Sequence, residues 1–82
     1  MAQTFVDNGR MVELTAREME ILVLLHEGLV PREVAVRLVI AVGTVRWHIK
    51  TICGRLEVHG VAKALAKARK IGVFDRVERL AV

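Results

Sequence analysis

Apolar positions recur at helical spacing along most of the chain. Ile21, Leu22 and Leu25 make one stripe, and Val34, Ala35 and Leu38 a second. Val45, Ile49, Ile52 and Leu56 make a third, and Val61, Ala64, Leu65 and Ala68 a fourth. The boundaries agree with these stripes. Thr15 followed by Glu18 forms a capping box before the first helix, with Leu14 placed to pack back as a staple. Gly28 stops that helix. Pro31 suits the first position of a short second helix, where its missing N–H is not needed, and Glu33 in the first turn suits the helix dipole. Ile40 plugs a tight connection into a third helix over about 42–56. Val58-His59-Gly60 separates that helix from a fourth, roughly Val61 to Ile71, closed by Gly72.

No run alternates cleanly enough to predict a strand. The expected fold is therefore all-α: a four-helix domain over 14–74 containing a helix-turn-helix. Residues 1–13, with a turn signal at Asp7-Asn8-Gly9, are expected to form a linker or loose arm, and 75–82 a C-terminal tail.

The two sides of the third stripe differ in chemistry. Opposite its apolar residues lie Arg46, Trp47, Lys50, Thr51 and Gly54: two cations, an exposed aromatic and no carboxylate. An ordinary solvated helix mixes both signs there. A helix packed on its back, with positive charge and hydrogen-bond donors in front, suits the major groove of DNA.

Charge strengthens that reading. The net charge is +4, but residues 1–45 carry four basic against six acidic side chains, while 46–70 carry seven basic against Glu57 alone. A concentrated positive patch attracts a polyanion and speeds its encounter. With 82 residues there is room for one small domain, and with 54% hydrophobic but only 4% aromatic residues its core must be aliphatic. No apolar run approaches a membrane span, and the start of the chain lacks a signal-peptide pattern. The single Cys53 forms no internal disulfide and fits a reducing cytoplasm.

Leu14–Leu22, Glu27-Gly28-Leu29, Glu33-Val34-Ala35, Gly43–Lys50, Arg55-Leu56, Val58-His59 and Ala66-Lys67-Ala68-Arg69 together resemble the LuxR-type DNA-binding domain over residues 14–74. The Trp47-His48 pair resembles the subgroup at the C-terminus of large MalT-like, ATP-dependent regulators. The resemblance implies a bacterial transcription regulator whose third helix enters the major groove of double-stranded DNA. Base contacts then map onto Arg46, Trp47 and Lys50. Backbone contacts map onto Thr44, Thr51 and, at the helix end, Arg55. The fourth helix, through Val61, Ala64, Leu65 and Ala68, is the implied homodimer surface on DNA.

Three positions depart from the family pattern. Ala41 stands where a serine or threonine would cap the third helix, Gly54 where a basic residue is common, and Glu57 where a glycine usually follows. The extra valines Val30, Val42 and Val61 stand where polar residues are common. These departures bear on affinity more than on fold.

His26, His48, His59 and Cys53 share no face and no metal-ligand spacing, so no metal or cofactor is expected. His48 is expected to be packed and hydrogen-bonded, and Cys53 to be inert core. No nucleophile–base pair, carboxylate pair or phosphate loop points to an enzyme. Two other readings stay open. One is a promoter-reading domain like region four of a sigma factor, with RNA polymerase as partner. The other is a helix-turn-helix module used for protein–protein contact. Binding that weakens steeply with salt separates DNA recognition from apolar association.

Overall fold

The computed structural model describes residues 2–76. The chain begins with two strands, β1 (Ala2–Asp7) and β2 (Arg10–Thr15). Four helices follow, α1 (Ala16–His26), α2 (Pro31–Leu38), α3 (Val42–Leu56) and α4 (Val61–Lys70), and a further helical turn over 73–76 ends the described residues. The helix-turn-helix is α2 and α3. The part of the expected tail beyond residue 76 lies outside the described residues.

The four helices stand where the pattern put them. The hairpin corrects the all-α expectation, and from residue 2 onward it puts paired strands where a linker or arm over 1–13 is expected. β1 and β2 run antiparallel, with Phe5 opposite Val12 and Asp7 opposite Arg10. Asn8 and Gly9 both adopt positive φ, 50° and 80°, as a type I′ turn requires. Phe5, Val12 and Leu14 point inward and are buried. The alternation is broken because Asp7 and Arg10 also lie on the inward side, so two charges occupy positions that a pattern reading expects to be apolar.

A single core joins hairpin and helices. Phe5, Leu14, Ile21, Leu22, Val34, Val45, Ile52, Leu56, Ala68 and Val73 are all at or below 1% exposure. The capping box forms as expected: Glu18 N–H donates to Thr15 Oγ1, and Thr15 N–H donates to the Glu18 carboxylate. Helix α2 starts at Pro31, and Val30 N–H donates to the Glu33 carboxylate at 2.9 Å.

Three successive helices end in the same backbone motif. Leu29 N–H bonds Leu24 O, Ile40 N–H bonds Ala35 O, and Val58 N–H bonds Cys53 O. Each motif needs a left-handed residue. Gly28 fills the first with φ 101°, as glycine can. Val39 and Glu57 fill the other two, both at φ 56°, where a side chain costs energy.

Candidate nucleic-acid interface

Helix α3 is fixed from behind. Val45, Ile52 and Leu56 are buried, and Ile49 and Cys53 are half-buried against the core. Cys53 Sγ donates to Gly60 O at 3.8 Å. Ala41 gives no side-chain cap, as its methyl group must.

The front of the helix is open. Gly43, Thr44, Arg46, Lys50 and Gly54 are exposed, and Trp47 is 62% exposed. The structure thus brings Thr44, Arg46, Trp47 and Lys50 together on one surface. Thr51 is half-buried beside them, and its hydroxyl donates to Trp47 O at 3.0 Å, which orients it along its own helix. His48 meets the Trp47 ring edge-on, with centroids 5.1 Å apart. His48 is packed as expected, but its Nδ1 is buried with no hydrogen-bond partner among the described residues.

Arg55 is turned away from this surface. Its guanidinium forms an ion pair with the Glu18 carboxylate and donates to Glu13 O at 3.2 Å. Glu18 is almost fully buried, so Arg55 serves the junction of β2, α1 and α3. The backbone contact expected of Arg55 is corrected accordingly. Lys67 is likewise held internally: it pairs with the buried Asp7 at 2.9 Å and donates to Leu56 O at 3.0 Å. That hydrogen bond holds the Asp7 carboxyl below its usual range, while burial opposes the shift.

The charge asymmetry of the sequence therefore divides in two. Part of the basic half neutralises buried carboxylates contributed by the acidic half. The rest faces solvent: Arg46, Lys50, Lys63, Arg69 and Lys70 are exposed and form no ion pair among the described residues. The network of Asp7, Arg10 and Lys67 escaped the sequence reading. Its available signal was Asn8-Gly9 between two runs of strand-forming residues.

The expected dimer stripe is also corrected. Ala64 and Ala68 are buried, and Val61 and Leu65 are half-buried against the domain's own core. A four-residue helical stripe of small and aliphatic side chains is what a core-facing helix presents. The residues α4 leaves exposed are Ala62, Lys63, Ala66, Arg69 and Lys70.

Comparison with known proteins agrees with this geometry. A family model for bacterial regulatory proteins of the luxR family, the GerE type, matches residues 12–68. The HTH-type transcriptional regulator AlkS of Alcanivorax borkumensis is 33% identical over 61 residues, covering 74% of this chain and 7% of that protein. Among solved structures, the response regulator ChrA of a heme-sensing two-component system matches with TM-score 0.72 and 38% identity, over 73% of this chain and 30% of that one. The transcription factor GerE matches with TM-score 0.70 and 33% identity, over 73% of this chain and 90% of that one. The chain thus spans a small part of AlkS and ChrA and nearly all of GerE. It belongs to the luxR family of bacterial regulatory proteins and carries that family's helix-turn-helix DNA-binding domain.

Proposed function

We propose that the chain binds double-stranded DNA with the front of α3 in the major groove, as the output domain of a transcription regulator acting in the cytoplasm. The observation that carries this is the α3 surface itself: Arg46, Trp47 and Lys50 stand exposed with no acidic neighbour on the helix, while Val45, Ile52 and Leu56 anchor its back. Arg46 and Lys50 can donate to guanine acceptors or phosphates. Thr44, in the first turn, can bond a phosphate together with nearby backbone N–H groups. Two copies would occupy two half-sites about one helical turn apart.

The test is a mobility-shift titration of the chain on duplex DNA over a range of salt. Binding through several phosphates must fall steeply as salt rises. A second reading, protein contact by the helix-turn-helix, is favoured by Val30, Val36 and Val39, which are 54%, 78% and 88% exposed on and beside α2. Association that ignores salt would support that reading and exclude the first.

A further inference from the structure

The exposed chemistry of α3 is one-sided in a way that limits which bases it can select. Arginine and lysine are donors only, with no acceptor. The whole helix, Val42–Leu56, contains no Asp, Glu, Asn or Gln. In the major groove guanine offers two adjacent acceptors, N7 and O6. Adenine offers one acceptor beside a donor, and cytosine offers a donor. Thymine offers one acceptor and the groove's apolar methyl group. The side chains that recognise adenine in a bidentate way are Asn and Gln, and those that accept from cytosine are Asp and Glu. None of these is present.

Trp47 supplies the missing half of the surface. It is a large ring, 62% exposed, on the same front as the two cations and braced edge-on by His48. An exposed ring of that size finds an apolar partner in the thymine methyl. The readable segment is short. Gly43 and Gly54 lie on the same front and carry no side chain, and a Cβ built at either would meet nothing within 4 Å. Between them Arg46 and Lys50 are four residues apart, about 6 Å along the axis, which corresponds to roughly two or three base pairs.

We propose that this surface selects guanine through Arg46 and Lys50 and a neighbouring thymine through Trp47, within a core of about two or three base pairs per half-site. The assignment rests on the DNA-binding reading above and adds to it the identity of the bases. Thr44 and phosphate contacts then set position on the duplex without choosing sequence.

The experiment is selection by the chain from a duplex pool with a randomised core, followed by base-analogue substitution in the selected duplex. Replacing guanine by 7-deazaguanine removes the N7 acceptor and should weaken binding roughly tenfold. Replacing thymine by deoxyuridine removes only the methyl and should weaken it about threefold to fourfold. Replacing adenine by 7-deazaadenine should change nothing. Arg46→Ala and Lys50→Ala should each reduce the sensitivity to 7-deazaguanine and the double variant should remove it, while Trp47→Ala removes the sensitivity to deoxyuridine, with unchanged melting curves showing that each variant is folded. Salt-sensitive binding that follows adenine, or ignores both guanine and thymine analogues, overturns the base assignment and leaves DNA binding standing. Indifference to deoxyuridine alone overturns the role of Trp47. Failure to bind any duplex in the pool overturns both.

Discussion

Arg55 and Glu18, 37 positions apart, form an ion pair that ties the C-terminal end of α3 to the first turn of α1. Glu18 is 3% exposed at its side chain and Arg55 40% exposed, so the carboxylate depends on this partner more than the guanidinium does. Glu18 keeps its bond from Thr15 N–H when Arg55 is removed. Arg55→Ala should therefore destabilise the domain by about 1.5–3 kcal/mol, the range for a hydrogen bond to a charged group. The measurement is chemical denaturation, with DNA affinity determined well below the transition. A loss of DNA binding without loss of stability would return Arg55 to the interface.

The two faces of α3 should separate cleanly under mutation. Arg46→Ala and Lys50→Ala remove exposed side chains and leave no cavity, so melting should change little. Each, as a base-reading residue, should lose about 1–3 kcal/mol of binding and some specificity. Leu56→Ala, at 0% exposure, and Ile52→Ala, at 1%, should instead lose roughly 2–5 kcal/mol of stability. Ile49 is half-buried, so its truncation should cost less than either. Wild-type melting in Leu56→Ala would mean that the buried and exposed faces are exchanged.

Much of this was legible in local sequence. Thr15 with Glu18, Gly28, Pro31 and the Val45–Leu56 stripe are signals that act within a few residues, and each produced the element it predicted. The hairpin was not legible by alternation alone, because Asp7 and Arg10 sit inward as a charged pair opposite each other. Nor was the internal role of Arg55 and Lys67. Their partners, Glu18 and Asp7, lie far away in sequence, and a cation one turn along a basic helix looks the same whether it meets DNA or a buried carboxylate. The faces of α4 were half legible: the stripe was right, but its depth in the core comes from packing on α1 and α3, with Val73 and Phe74 in the same core.

Two helix ends carry removable strain. Val39 is a β-branched residue at φ 56° with 88% of its surface exposed, so Val39→Gly loses almost no packing. It should stabilise the domain by up to about 1.5 kcal/mol, the relief of the left-handed conformation less the added freedom of the unfolded chain. Glu57→Gly should gain less, because Glu57 also meets Arg10 at 3.8 Å. Thermal unfolding checks both. Destabilisation by Val39→Gly would show that the valine side chain holds the turn.

The Asp7–Lys67 pair predicts how stability varies with acid. The Asp7 pKa is lowered in the folded protein, first by the hydrogen bond from Lys67. Its contribution is therefore present above the ordinary aspartate pKa of about 4 and is lost as pH falls through and below that value. Asp7→Asn should melt below wild type at neutral pH, and the gap should narrow at about pH 3. A gap that stays constant between the two conditions would dissociate the pair from acid sensitivity.

Self-association should run through the outer side of α4, not through the stripe of Val61, Ala64, Leu65 and Ala68. Ala68 is 0% exposed, so a charge there is forced into the core, and Ala68→Glu should unfold the domain. Ala62, Ala66 and Arg69 lie on the exposed side at i, i+4 and i+7, with half-buried Leu65 at its edge. Small residues there would let a second copy approach, but Lys63, Arg69 and Lys70 would repel it in solution. A contact of one short helix falls below the roughly 1,200 Å² of a stable interface, so the free chain should be monomeric at micromolar concentration. DNA offsets the repulsion by neutralising the cations and holding two copies in register. Ala66→Glu should then keep the wild-type melting temperature and bind a single half-site normally, while losing cooperativity on two half-sites one helical turn apart. Paired titrations of both proteins on both duplexes measure this. Equal cooperativity would remove the outer side of α4 as the contact between copies.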